Sequence, residues 1–189
     1  FRYGPYGKPA LKSVGAFDEE RIVDKLPLPS SHIDLGAMLH FNVSHSQAMA
    51  LYALAWDRPV GIDLEYVADT SHPLERLVAR FFSPSEREAF QRLPAAQKTQ
   101  AFFRCWTRKE AYMKARGRGF TLPLQQFDVS VTPDEPARLL NDSHDPQAVA
   151  NWTLQDLNPG HGYVAAAAAR GCDWRLACWQ WPGATFDRE

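Results

Sequence analysis

Two carboxylates lie two residues apart in Val60-Gly61-Ile62-Asp63-Leu64-Glu65. On an extended strand alternate side chains share a face, so Val60, Ile62 and Leu64 turn one way and Asp63 and Glu65 the other. Neighbouring carboxylates repel unless a cation or solvent separates them. A hard divalent ion such as magnesium suits the pair, because it takes a few carboxylates together with waters and phosphate oxygens. A solvated strand face produces the same alternation. A second group falls in Trp106-Thr107-Arg108-Lys109-Glu110-Ala111-Tyr112-Met113-Lys114. At helical pitch Phe102, Trp106 and Met113 share one face, while Glu110 and Lys114 meet on its flank. Read alone, that flank is a surface ion pair contributing about 0.3–0.5 kcal/mol. Lys109 falls near the middle of the apolar face, so it either snorkels outward along its stem or enters a polar cleft.

Two further segments carry polar chemistry. In Phe41-Asn42-Val43-Ser44-His45-Ser46 an apolar run ends in hydroxyls around a histidine. Such a group suits phosphate oxygens, and it also suits a polar turn. Tyr6-Gly7-Lys8-Pro9 holds a lysine between a glycine and a proline, without the second glycine and Ser/Thr of a P-loop.

These residues need elements to hold them. Apolar runs of strand length are expected at 38–43, 49–56 and 60–67. Asp57-Arg58-Pro59 reads as a tight turn, which predicts a hairpin between the second and third runs. Helical periodicity follows at 73–82, 84–93 and 94–116, with Ser83 and Ser85 as caps and Gly117 and Gly119 as the stop. Strands return at 127–131, 152–157, 163–169 and 174–181. Residues 1–37 are rich in Gly, Pro and Ser, with a short helix at 18–26 closed by Pro27 and Pro29. Strands, then helices, then strands make an α+β fold.

Bulk properties narrow the field. The 189 residues carry a net charge of −1, so no global basic field recruits nucleic acid. The apolar share of 45% and the charged share of 23% fit a soluble globular protein. Three cysteines, none in a C-x-x-C pair, point away from a disulfide framework and toward the cytoplasm. No apolar stretch is long enough to cross a bilayer.

The order of the motifs says more than any one of them. Gly7-Lys8-Pro9, then Phe41 to Ser46, then Gly61-x-Asp63-x-Glu65, then Trp106-x-x-Lys109-Glu110-Ala111-x-x-Lys114 resembles the 4′-phosphopantetheinyl transferases, most closely the larger, surfactin-synthetase-activating type. Phe81-Phe82-Ser83-Pro84-Ser85-Glu86 adds to the likeness, which covers nearly the whole chain. The resemblance implies two similar α+β halves, a pseudo-dimer with coenzyme A in the cleft between them. Residues 1–58 would form the first half and 59–189 the second. The first half looks shortened, because the segment that normally precedes Gly-Lys-Pro is missing and the chain opens Phe1-Arg2-Tyr3-Gly4 without Met. The sequence is then either a fragment or one with a reduced first half.

By the same resemblance, Asp63, Glu65 and Glu110 would hold magnesium against the pyrophosphate. Lys8, Ser44 and His45 would contact the phosphates of coenzyme A. Lys114 would stabilise the departing 3′,5′-ADP, and Glu110 would act as base or only as metal ligand. The partner would be an acyl or peptidyl carrier protein, with the enzyme a monomer. Arg104, Arg108, Arg116 and Arg118 could face an acidic carrier or simply complement the helix dipole. Another magnesium-dependent phosphotransferase or pyrophosphate hydrolase, or a non-catalytic carrier-binding module, would share parts of this pattern.

Overall fold

The computed structural model describes residues 38–67, 74–117 and 122–180, with the backbone of two short strands near the start. Those strands, β1 (Arg2–Tyr3) and β2 (Pro9–Ala10), pair antiparallel. The helix expected at 18–26 lies outside the described residues.

β3 (Leu39–Ser46) and β4 (Met49–Trp56) form an antiparallel hairpin in which Val43 faces Tyr52. Gln47 takes φ 52 to close its tight turn. The expectation of a hairpin between β4 and the next strand is therefore corrected. β5 (Val60–Tyr66) pairs instead with β9 (Tyr163–Arg170), which pairs with β8 (Trp152–Leu157). Asp57, at φ 51, helps turn the chain out of the first sheet and into the second. The turn signal was real, but it joins two sheets.

Three helices follow β5: α1 (Leu74–Phe81), α2 (Pro84–Gln91) and α3 (Ala95–Arg116). Ser83 caps α2 through a reciprocal capping box with Glu86, and Pro84 opens its first turn. Gly117, at φ 65, ends α3 in the left-handed conformation. β6 (Phe127–Val129) pairs with β7 (Leu139–Asp142), and a short helix α4 (Ala148–Asn151) leads into β8. β7 had no expectation in the sequence. β6 stops before 131 because its register shifts at Asp128/Val129 and the Ser130 carbonyl accepts from Arg108. The strand expected at 174–181 is also corrected. Gly171, at φ 91, turns the chain, the Trp174 indole donates to the Gly171 carbonyl, and no described strand lies beside 173–180.

The core is aromatic. Phe82 stacks on Phe102 with centroids 5.6 Å apart, and Tyr112 meets Phe127 and Trp152 edge-on. α3 is buried on several sides, which explains why its pattern does not read as a simple amphipathic stripe. It lies across the sheet at Gly61. A Cβ there would sit 2.1 Å from the Ala111 carbonyl oxygen and 2.4 Å from the Ala115 nitrogen.

Candidate active site at the seam between β3 and β5

β5 has one edge in the ladder with β9. The flanking bonds from Arg170 N–H to the Pro59 carbonyl and from Val67 N–H to the Gly162 carbonyl fix the alternation, so the amides of 61, 63 and 65 face β9. The amides of Ile62, Leu64 and Tyr66 face β3. There they donate not to a backbone but to three side chains: Asn42 Oδ1 at 2.8 Å, Ser44 Oγ at 3.2 Å and Ser46 Oγ at 3.1 Å. The offset is a constant twenty residues. Alternate polar residues on β3 thus take the place of a ladder.

The same serines reach the acidic pair. Ser44 Oγ donates to Asp63 Oδ1 at 3.0 Å, and Ser46 Oγ to Glu65 Oε2 at 3.4 Å. From α3, Lys114 Nζ donates to Asp63 Oδ1 at 2.6 Å, to Ser44 Oγ at 3.1 Å and to the Ile62 carbonyl at 3.1 Å. Trp106 Nε1 donates to Glu65 Oε1 at 3.2 Å. Asp63, Glu65, Glu110, Lys114 and Ser44 therefore come together where β3, β5 and α3 meet. Asp63 is 4% exposed and Glu110 is 8% exposed, which rules out the solvated-face reading of this strand.

Three carboxylates, Asp63 and Glu110 buried and Glu65 half-buried, disturb one another. Burial raises the Asp63 carboxyl above its usual range, against the opposing pull of Lys114 and Ser44. Burial and then the Asp63 charge raise Glu65. Glu110 is pushed up to about 7 by burial, then by Asp63, with Lys114 opposing and Glu65 adding. Lys114 alone offsets only part of this negative charge. Asp63 Oδ2 is buried and has no hydrogen-bond donor among the described residues.

Whether these residues suit a metal follows from that orphaned oxygen and from the donor set. Among the described residues no three His, Cys, Asp or Glu side chains form a ready-made cage. Magnesium does not need one, since it binds through one or two carboxylates and keeps waters and phosphate oxygens. A buried carboxylate oxygen lacking a donor, flanked by two more carboxyls held above their usual range, fits such a hard cation.

Other expected residues fall elsewhere. His45 is exposed on the face of β3 opposite Ser44. Lys8 lies outside the described residues. The Ser44 hydroxyl donates once and accepts twice inside the protein, its full capacity. Lys109 takes the polar-cleft alternative: its ammonium is fully buried, 2.7 Å from both Glu86 oxygens and from the Phe127 carbonyl. Arg108 is also fully buried and grips Asp156 through two nitrogens, so it cannot face a carrier protein. Arg104 donates to the Pro133 carbonyl and Arg116 to Asp145; Arg118 is outside the described residues. Sequence reasoning missed Trp106 and Ser46 as partners of Glu65. The two-residue beat of Asn42, Ser44 and Ser46 against 62, 64 and 66 was the available signal.

The family model described as the 4′-phosphopantetheinyl transferase superfamily matches residues 59–168. The chain belongs to this superfamily. Among curated transferases, HetI of Nostoc sp. is 45% identical over 143 residues, which is 76% of this chain and 56% of HetI. The transferase Sfp of Bacillus subtilis is 32% identical over 130 residues, 68% of this chain and 55% of Sfp. The chain thus spans about half the length of the curated transferases it matches. A solved holo-(acyl-carrier-protein) synthase of Bacillus anthracis, in complex with coenzyme A (3′,5′-ADP), aligns with a TM-score of 0.48 at 18% identity, covering 59% of this chain and 94% of the synthase. The matched span includes Asp63, Glu65, Glu110 and Lys114 and leaves Ser44 and His45 upstream of it.

Proposed function

We propose that this chain transfers 4′-phosphopantetheine from coenzyme A to a serine hydroxyl of an apo acyl or peptidyl carrier protein, releasing 3′,5′-ADP, with magnesium. The observation that carries the reading is the buried carboxylate cluster around Asp63, with its orphaned oxygen and with Lys114 beside it, inside the span that matches the superfamily.

In this reading Asp63, Glu65 and Glu110 hold the metal, which when bound neutralises pyrophosphate charge. Lys114 then exchanges its bond to Asp63 for the phosphates, and its ammonium meets the charge that develops on the leaving group. Lys8, Ser44 and His45 are assigned the phosphates of coenzyme A, Ser44 from the buried face of β3 and His45 from its exposed face. Since the Ser44 hydroxyl gives its one proton to Asp63, it donates to phosphate only by leaving that carboxylate. The serine oxygen bonds to the β-phosphorus as the bond from phosphorus to 3′,5′-ADP breaks. A carboxylate beside a metal is a poor base, so the serine proton leaves through water. A loose phosphoryl-transfer transition state asks more of alignment and charge than of a base.

The two-half architecture belongs to the same proposal. Residues 1–58 contribute β3 and β4 to the first half, 59–189 form the second, and the side-chain seam between β3 and β5 lines the cleft. No described helix is long and apolar enough to cross a membrane. We place the enzyme in the cytoplasm, as a monomer acting on a free carrier protein.

The test is the intact mass of an apo carrier protein incubated with this chain, magnesium and coenzyme A. The carrier should gain one phosphopantetheinyl group, and Asp63→Ala should abolish most of that gain while its circular dichroism stays native. Turnover near wild type by a folded Asp63→Ala protein would remove Asp63 from the metal site. A carrier left unmodified by the wild-type chain would overturn the transfer reading.

A further inference from the structure

We propose that Ser46 and Trp106 are positioning residues that clamp Glu65 from opposite sides of the seam and set its affinity for the metal. The proposal rests on the reading of Glu65 as a magnesium ligand. Each carboxylate oxygen of Glu65 accepts one bond: Oε2 from the Ser46 hydroxyl of the hairpin and Oε1 from the Trp106 indole of α3. Each oxygen keeps a lone pair for a cation. The two donors are themselves held. The Trp106 ring packs edge-on against Phe81, with centroids 5.2 Å apart, and near-parallel to Phe102 at 6.2 Å. The Ser46 hydroxyl accepts from the Tyr66 amide at 3.1 Å, which leaves its proton for Glu65. Glu65 is the less buried of the two strand carboxylates, so without such partners its longer side chain would sample several rotamers.

Asn42 supplies an internal control. It occupies an equivalent place on β3, accepting from the Ile62 amide, yet among the described residues it bonds to no carboxylate of β5. Loss of Asn42 weakens the seam alone. Loss of Ser46 weakens the seam and frees Glu65.

The test measures Mn2+ binding to the full chain by electron paramagnetic resonance, without coenzyme A or carrier. Outer partners of metal ligands typically set about ten- to a hundredfold of affinity. Ser46→Ala and Trp106→Phe should each weaken Mn2+ binding by about tenfold, Ser46→Thr should restore it, and Asn42→Ala should stay within about twofold of wild type. A Ser46→Ala protein that binds Mn2+ as tightly as wild type overturns the clamp, as does an Asn42→Ala protein weakened equally. Glu65→Gln separates this failure from that of the metal reading. If Glu65→Gln weakens Mn2+ binding and Ser46→Ala does not, only the clamp falls. If neither weakens it, Glu65 is no ligand and both fall. A second readout is the 1H–15N signal of the Trp106 indole, identified by its loss in Trp106→Phe. Adding Mg2+ should shift it in wild type and leave it still in Glu65→Gln; a signal unmoved in wild type counts against the clamp.

Discussion

At the scale of single residues, Glu110 is the group whose charge is least settled by its surroundings. Its carboxyl is pushed up to about 7 by burial and then by the Asp63 charge. The folded metal-free protein therefore holds a proton there that the unfolded chain releases near 4.5. Between those values the folded state binds more protons, so stability is greatest at the acid end and falls as pH rises through the window. The gap corresponds to about 3 kcal/mol at most. Urea unfolding of the metal-free chain at pH 5 and pH 8 should show a lower midpoint at pH 8, and Glu110→Gln should shrink that difference. Magnesium should raise the midpoint at pH 8 in wild type and not in Glu110→Gln. Equal pH slopes in the two proteins would show that Glu110 ionises as an ordinary surface carboxyl. Spacing made Asp63 with Glu65 and Glu110 with Lys114 legible as two separate pairs, and only the resemblance to the transferases joined them into one site. Their partners were not legible, because periodicity assigns a residue to a face and says nothing of what covers it. Lys109 is the clearest case: its pairing with Glu86 depends on a capping box that holds that one carboxylate at the buried point the ammonium reaches.

At the scale of elements, the position of α3 on the sheet decides the site, and Gly61 sets that position. Asp63 comes from β5 while Glu110 and Lys114 come from α3, so their distances depend on how closely the helix approaches the strand. Glycine at 61 leaves room for the backbone of Ala111 and Ala115, atoms that cannot swing away as a side chain would. Gly61→Ala should push α3 outward, cost about 1–3 kcal/mol in unfolding free energy and reduce transfer by more than it reduces folding. Urea midpoints and carrier mass gain measure the two effects. A Gly61→Ala protein with wild-type midpoint and turnover would mean that the contact relaxes freely. Element types along the chain were largely legible, since capping signals and the runs of Val, Ile and Ala are local. Pairing was not. The partner of β5 is about a hundred residues away, and nothing in Asp57-Arg58-Pro59 distinguishes a turn within a sheet from a passage between two.

For the whole molecule, the consequence is that the hairpin and the main sheet are joined at this edge by side chains rather than by a ladder. The Ile62, Leu64 and Tyr66 amides depend on Asn42, Ser44 and Ser46, while the amides at 61, 63 and 65 face β9. A break of the seam frees the first set and leaves the second in place, so one strand should show two levels of protection. Local openings of this kind cost less than global unfolding. Native-state hydrogen exchange should therefore find the amides of 62, 64 and 66 exchanging faster than those of 63 and 65, with Asn42→Ala widening the gap at 62. Ligands that draw on both sides of the seam should close it. Magnesium with coenzyme A, engaging Ser44 from the hairpin and Asp63 from the sheet, should slow exchange at 64 and 66 more than at 63 and 65. Alternate protection that is present without ligand and erased with it is the pattern required if the cleft runs along this seam. Uniform protection along β5 in both states would mean that hairpin and sheet open as one unit, and the cleft would have to lie elsewhere.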